Sequence, residues 1–342
     1  MTQAAGDLAV APVLDSATSP TWDEGDAPEL TIVVSSHNRA QFLDGLINAL
    51  ATQEDVNADA IVVDNGSSDD TWQVLSRLCA TTKLRLRIIR ISAHNSPAVP
   101  RNTAVTLARG PIVAFTDDDC LPTPRWLAEL HAAFDHDTLI VQGRTTPVPG
   151  EWAGPWSRSL DVPGPTGLYE TANLAVRRAA VLAAGGFPRE RLLSGRPFGE
   201  DVVLGAAVAR LGGFTFAPEA LNHHRVLPGT YPEFVKERLR LAGFPELVRQ
   251  VPELRSLRFA GIFLGRRRAA TDLGLVAIAV AAATRNPWPL LGLLPWSIAT
   301  WREARAYPGR PRPVRAAQLA VADVVGCYSL VKGSVQARTI LL

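Results

Sequence analysis

Three consecutive carboxylates, Asp117, Asp118 and Asp119, follow directly on the apolar run Pro111-Ile-Val-Ala-Phe-Thr116. Like charges this close raise one another's pKa, so the arrangement is costly unless a cation shares it. Hard divalent ions such as Mg²⁺ or Mn²⁺ take oxygen ligands and bridge carboxylates to substrate phosphates. A solvated acidic turn explains an isolated triplet equally well, so the neighbouring elements have to decide. A second acidic pair, Glu200-Asp201, opens an apolar helix carrying Val203, Leu204, Val208 and Leu211. The helix dipole favours acids in a first turn whatever their function, so this pair is not diagnostic alone.

The elements that must position these groups are legible from periodicity. Leu30–Val34 is a short β-branched run, as expected of a buried parallel strand. Asn38 can cap a following helix whose apolar positions Phe42, Leu43, Leu46, Ile47 and Leu50 recur at helical spacing. Ala60–Val63 is a second strand, running into the turn Asp64-Asn-Gly-Ser-Ser-Asp69 and a helix with Trp72, Val74, Leu75 and Leu78. Leu86–Ile91 makes a third strand, Thr103–Arg109 a helix and Ile112–Thr116 a fourth strand. Strands alternating with helices imply an α/β fold with a parallel sheet and right-handed crossovers. Ligands of such sheets bind at the carboxyl ends of the strands, which puts Ser35, Asp64 and Asp117 on one rim. Further on, residues 145–168 read as a long functional loop and Ala175–Ala184 as a helix closed by Gly185-Gly186.

The chain of 342 residues is 47% hydrophobic, enough for one large domain or two smaller ones. Cys79, Cys120 and Cys327 are far apart and form no CxxC or Cys/His cluster, so neither a disulfide framework nor a structural zinc site is indicated. The net charge of +2 hides an asymmetry: residues 258–342 hold 12 basic and 3 acidic side chains, on an otherwise acidic chain. Residues 1–28 are acidic, without Lys or Arg, and read as a disordered leader rather than a secretory signal.

With these landmarks in order, the chain from about Leu30 to His224 resembles the family 2 glycosyltransferases. The matching pieces are Val33-Val-Ser-Ser-His-Asn-Arg39, Val62-Val-Asp-Asn-Gly-Ser-Ser-Asp69, Pro100-Arg-Asn-Thr-Ala104 and Phe115-Thr-Asp-Asp-Asp119. They continue with Thr171-Ala-Asn173, Gly185-Gly-Phe187, Gly199-Glu-Asp201 and Pro218-Glu-Ala220 followed by His223-His224. No piece is decisive alone; eight in order are specific. The resemblance implies a GT-A nucleotide-sugar-binding fold, Rossmann-like and mostly parallel, over residues 29–257. It implies that Asp119 coordinates Mg²⁺ or Mn²⁺, with Asp117 nearby and His223 or His224 closing over the metal; His224 is slightly favoured. Ser35, Arg39, Asp64, Asn65, Arg101, Asp117 and Asp118 fall where the family holds the donor. Asn65 stands where an aspartate is common, which leaves UDP-, dTDP- and GDP-linked sugars open. Arg101 would reach phosphate through its guanidinium. Asp201 matches the general base of an inverting transfer, with Glu200 supporting it. The acceptor implied is a lipid-linked or cell-surface glycan.

Residues 258–342 form a basic, apolar, helical extension. Leu273–Ala283 and Leu290–Trp301 are apolar runs broken at Arg285-Asn-Pro-Trp-Pro289, and each is shorter than the ~20 residues a bilayer span needs. With Trp288, Trp296 and Trp301 at the break and arginines flanking, they suit a membrane-associating pair at the cytoplasmic face rather than a nucleic-acid surface. Arg315–Val335 is a further helix. Two other classes stay open on sequence: a membrane-anchored binding or scaffold protein that lost turnover, and a nucleotidyltransferase. Ser35-Ser-His-Asn-Arg39 lacks the glycines that nucleotidyltransferases usually place after their first strand.

Overall fold

The computed structural model describes residues 8–94, 96–152, 154–188, 198–306 and 311–342, which fall into two compact units. The first holds the described residues up to Glu151, those from Ser159 to 188, and Gly199–Val226. In chain order its elements are β1 (Asp15–Thr18), β2 (Leu30–Ser36), α1 (Ala40–Ala51), β3 (Ala58–Asn65), α2 (Thr71–Thr81) and β4 (Leu86–Ile91). They continue with α3 (Ala98–Leu107), β5 (Ile112–Phe115), β6 (Cys120–Pro122), α4 (Trp126–Ala132) and β7 (Thr138–Pro147). After a long connection come β8 (Leu174–Arg177), α5 (Arg178–Ala183), α6 (Glu200–Ala209) and β9 (Gly213–His224).

One nine-stranded sheet runs β1-β4-β3-β2-β5-β8-β7-β9-β6. Its β4-β3-β2-β5 half is parallel, as the alternation of strands and helices requires. Beyond β5 the sheet is mixed: β8 runs antiparallel to β5 and β7, and β9 lies parallel to β7 and antiparallel to β6. Side chains alternate across the pleat, so Leu30, Ile32 and Val34 share one buried layer with Leu43, Leu46 and Ile47 of α1 and Leu75 of α2. Val33, Ile61 and Val63 face the other layer, with Val99 and Val105 of α3, Val181 of α5 and Leu204 of α6.

Four expectations are corrected by this architecture. Asp15–Thr18, inside the segment read as a disordered leader, forms an edge strand paired antiparallel with β4, and Ser19 adds a bond to the Leu84 carbonyl; residues 1–7 lie outside the described part. Leu174–Arg177 is a strand, not the start of a helix, because pairing on both sides outweighs its alanine-rich helix propensity. The helix read as Thr103–Arg109 begins earlier, at Ala98, since Pro100 sits in its first turn, where no intrahelical N–H is needed. Asn38 does not cap α1; with φ of 55° its Oδ1 instead accepts from the N–H groups of Ser68 and Asp69, tying the two loops together.

Two of the short motifs turn out to be buried knots. Asn173 accepts from Trp126 Nε1 at 2.8 Å and donates to the carbonyls of Arg144 and Ala220 at 2.9 and 2.8 Å. Asn102 accepts from the Phe187 N–H and donates to the Phe187 carbonyl. Gly186, at φ 70°, leaves no room for a Cβ against Asn102 Oδ1.

The second unit comprises described residues of 152–158, Phe198 and Leu227–Leu342. It takes in α7 (Tyr231–Arg238) and α8 (Phe244–Gln250) as well as α9 (Arg266–Thr284), α10 (Leu294–Ala306) and α11 (Arg312–Ala337). Residue 258, where composition divides the chain, falls inside this unit. Thr230 and Glu233 form a reciprocal capping box at the start of α7. Trp156 packs on Tyr231 and Phe234 with the Arg315 guanidinium over its ring. Replacing Asn173 with alanine removes three hydrogen bonds, those to Trp126 and Ala220 buried, and is expected to cost about 2–3 kcal/mol. A clear drop in melting temperature checks it.

Candidate active site

The carboxyl ends of β2 and β5, the loop after β5 and the last residues of β9 meet in the first unit. Asp118 is buried and accepts a 2.8 Å hydrogen bond from Ser36 Oγ. Arg39 lies 3.8 Å from Asp118 and 3.9 Å from Asp119. Burial, with Asp119 alongside, pushes the Asp118 carboxyl up to about 7, against the Ser36 bond and the Arg39 charge. Asp119 is raised as well, by burial, while His224 works in the opposite direction.

β6 pairs with β9 so that Cys120 faces His224, and the Arg225 N–H donates to the Asp119 carbonyl. The His224 ring is oriented by its own backbone: Nδ1 lies 2.8 Å from the Arg225 carbonyl oxygen, which can only accept, so Nδ1 carries the hydrogen. In the neutral ring Nε2 then points its lone pair at Asp119 Oδ1, 3.3 Å away. Two electron-rich atoms facing each other call for a proton or a metal ion between them. A carboxylate oxygen and an imidazole nitrogen fit a divalent ion such as Mn²⁺ or Mg²⁺. Cys120 Sγ is within 4.8 Å of both. Burial holds that thiol protonated, and it donates to the Ala172 carbonyl, so Cys120 is not part of the donor set. His223 is on the opposite face of β9, bonded to Thr146 Oγ1, with its pKa lowered by burial. The strand's alternation thus separates the two histidines, and only His224 reaches Asp119.

Arg101 joins the triplet to α6. Its Nη2 is 3.1 Å from Asp117 and its Nη1 is 3.7 Å from Glu200, while the guanidinium lies over the Phe187 ring. Asp117 is therefore engaged by Arg101 and is not among the atoms grouped around His224. Asp201 follows at the N-terminal end of α6, where Gly199 takes a left-handed conformation. Burial and the adjacent Glu200 raise the Asp201 carboxyl to about 7, against the Arg101 charge. A base poised near neutrality suits proton abstraction from a hydroxyl.

The end of β3 is occupied differently from expectation. Asp64 is fully buried, 3.1 Å from Arg90 Nε and bonded to the Ser67 N–H. Asn65 exchanges two hydrogen bonds of 2.9 Å with the backbone of His94. Both side chains shape the loop that ends β3. Ser35 is half-buried, and it is Ser36 that touches the acidic triplet. Parity along β2 carried that signal: Ser36 shares the face of Ile32 and Val34. Asn222 was also missed; it donates to Thr116 Oγ1 and the Ala172 carbonyl, tying β9 to the residue before the triplet. Glu170, held by Thr166 and Gln142, is a further acid whose charge reaches Asp201.

This half-parallel sheet with acidic residues at its strand ends has the arrangement of the GT-A fold. Residues 31–185 match the family model described as Glycosyl transferase family 2. It is 25% identical over 226 residues to the glycosyltransferase AglE of Haloferax volcanii, covering 63% of this chain and 72% of that one. An Escherichia coli relative, the UDP-Glc:alpha-D-GlcNAc-diphosphoundecaprenol beta-1,3-glucosyltransferase WfaP, is 26% identical over 90 residues, which span 26% of this chain and 35% of WfaP. Among solved structures, the mannosyltransferase PcManGT of Pyrobaculum calidifontis, in complex with GDP-Man and Mn²⁺, has the same fold. Its TM-score is 0.55 at 18% identity, over 96% of this chain and 90% of that one.

Asp118 has a folded-state pKa above its unfolded value, so its contribution falls as pH rises above the ordinary carboxylate range and is fully lost beyond about 7. Asp118→Asn keeps a partner for Ser36 without the charge. It is expected to raise the melting temperature of the metal-free protein at pH 8 and to give no gain at pH 4.

Proposed function

We propose that this glycosyltransferase moves a sugar from a nucleoside-diphosphate donor to a hydroxyl of a lipid-linked or cell-surface glycan, with inversion at the anomeric carbon. The observation that carries the reading is the facing pair His224 Nε2 and Asp119 Oδ1, with Asp201 held nearby through the Asp117–Arg101–Glu200 chain. Five carboxylates (Asp117, Asp118, Asp119, Glu200, Asp201) share this region with two guanidiniums, Arg39 and Arg101, and the imbalance favours a bound cation. Asp119 and His224 would hold Mg²⁺ or Mn²⁺, which when bound neutralises the diphosphate and eases its departure.

The chain's own residues do the rest. Arg101 and Arg39 orient the donor's phosphate oxygens, Arg101 with its planar fork. Asp117 and Asp118 line the donor side, and Ser36 and Arg101 fix their rotamers. Asp201 takes the proton from the acceptor hydroxyl as its oxygen attacks from the side opposite the diphosphate. Glu200 keeps Asp201 protonatable near neutral pH and is itself oriented by Arg101. A single displacement needs one positioned base, and Asp201 supplies it. Asp64, Asn65 and Ser35 contribute to the nucleoside pocket by shaping its loops. The Mn²⁺ and GDP-Man of PcManGT support the donor class, and the diphosphoundecaprenol in the name of WfaP supports a lipid-linked acceptor, which we place at the cytoplasmic face of the membrane. Residues 29–257 are proposed to carry the catalytic function and 258–342 the membrane association.

Transfer assayed over a panel of nucleotide sugars, with Mn²⁺, Mg²⁺ or EDTA, tests the assignment. Asp201→Asn is expected to lower kcat by about a hundred- to ten-thousandfold with donor affinity retained. The wild-type rate is expected to rise with pH through about 7, following ionisation of Asp201 within its acidic pair, and this limb should vanish in the variant. Equal rates for wild type and Asp201→Asn on a true substrate pair would falsify the base assignment. His224→Ala is expected to weaken Mn²⁺ binding, followed by thermal shift without donor, and His223→Ala to leave it intact.

A further inference from the structure

α11 is 26 residues long and apolar enough to cross a bilayer by length and composition, with a mean hydropathy of 1.4 over its best window. Its packing within the second unit argues for a different role. Asp323, at the middle of the helix, is buried, with its carboxylate 2.8 Å from Arg267 of α9 and 2.9 Å from Trp296 Nε1 of α10. Arg268 of α9 donates to the Asp323 carbonyl at 2.7 Å, and Arg267 also meets Glu303 of α10. On the same buried face Gly333 lies against the backbone of Ala242, where a Cβ would collide with the carbonyl oxygen, and Gly326 lies against Arg268. A helix pinned at its centre by a charged network to two neighbours is the strut of a helical unit, because withdrawing it into lipid would leave Asp323 uncompensated there and Arg267 with Glu303 alone.

The outward residues of this unit have another character. From Leu273 to Trp301, α9, the turn Trp288–Leu293 and α10 expose Leu273, Val276, Ile278, Trp288, Leu291, Ile298 and others, with Trp288 73% accessible. Such a large apolar exposure marks an interaction surface. The charges around it all have one sign. Among the described residues of 258–342, Arg266, Arg285, Arg302, Arg305, Arg312, Lys332 and Arg338 are exposed, and no acidic side chain is. Asp272, Glu303 and Asp323 are turned partly or wholly inward. Exposed tryptophans and leucines in a segment whose exposed charges are all cationic match the headgroup region of an anionic bilayer.

We infer that the α9–α10 hairpin docks in the plane of an anionic phospholipid surface, with α11 kept out of the bilayer as the hairpin's internal strut. This deepens the membrane reading given above and rests on it. The rival occupant is a second copy, because Val314, Val321, Val324, Tyr328, Val331 and Val335 line an exposed face of α11 at heptad spacing. The one-signed exposed charge of residues 258–342 favours lipid, since like charges on two copies would repel.

Co-sedimentation of the full chain with phosphatidylcholine vesicles, with and without phosphatidylglycerol, tests the inference. Binding is expected to require phosphatidylglycerol and to fall as salt rises. Removing Arg285 and Arg302 together (Arg285→Ser, Arg302→Ser) is expected to weaken it on the order of twentyfold, at about fivefold per arginine. Trp288→Ser with Leu291→Ser is expected to abolish it, with the melting curve and turnover of a soluble acceptor unchanged. A cysteine placed by Gln336→Cys should stay reactive toward an impermeant maleimide added outside the vesicles; protection would show that α11 spans and would overturn the strut. Equal binding to neutral vesicles, or none to either, overturns the anionic docking surface, as does a stable dimer that these apolar substitutions dissociate. Loss of turnover without loss of vesicle binding would sink the catalytic reading and leave the docking surface standing.

Discussion

Negative charge concentrated where strands end is the constraint around which the first unit is organised. Three adjacent aspartates after β5 and two acids opening α6 would repel one another and unravel their loops if left to water and backbone alone. Arg101 meets this by standing between the two groups, one nitrogen toward Asp117 and another toward Glu200, its flat face on Phe187. Phe187 is itself set edge-on to Phe115, at the end of the strand that delivers the triplet. Even so, the arginines number fewer than the acids, and burial leaves Asp118 and Asp201 both reluctant to ionise. The shortage of positive charge at this rim is of the kind that a divalent cation would correct.

What could be read from the residues alone was the chemistry, and what could not was which neighbour each residue would choose. The parallel half of the sheet was legible because Leu30–Val34, Ala60–Val63 and Leu86–Ile91 are β-branched runs separated by helices of clear period. The antiparallel half was not. Leu174–Arg177 is strand only because β5 and β7 flank it, a condition absent from its own four residues. Asn65 looked like a base-reading residue by position, yet its amide is engaged by the His94 backbone, a partner 29 residues on that no local pattern discloses. The choice between His223 and His224 needed the register of β9 against β6, after which simple alternation decides it.

The second unit makes the complementary point about composition. Among the described residues hydropathy ranks α11 as the most membrane-like helix, whereas its centre is tied by side chains to α9 and α10. One buried aspartate reverses the ranking. Asp323 draws Arg267, Arg268 and Trp296 inward, and in doing so fixes which sides of α9 and α10 remain outside.

The place of β9 in the sheet has a consequence for how the molecule is made. It is the last strand of the unit to be synthesised, yet it is inserted between β7 and β6 rather than added at an edge. Until it arrives, β6 has no partner and the acidic triplet has no imidazole, although all three aspartates left the ribosome a hundred residues earlier. Contacts this distant in sequence form late, after the local β2-to-β5 half has had time to assemble. Closing the sheet between β7 and β6 and bringing His224 to Asp119 are therefore one event.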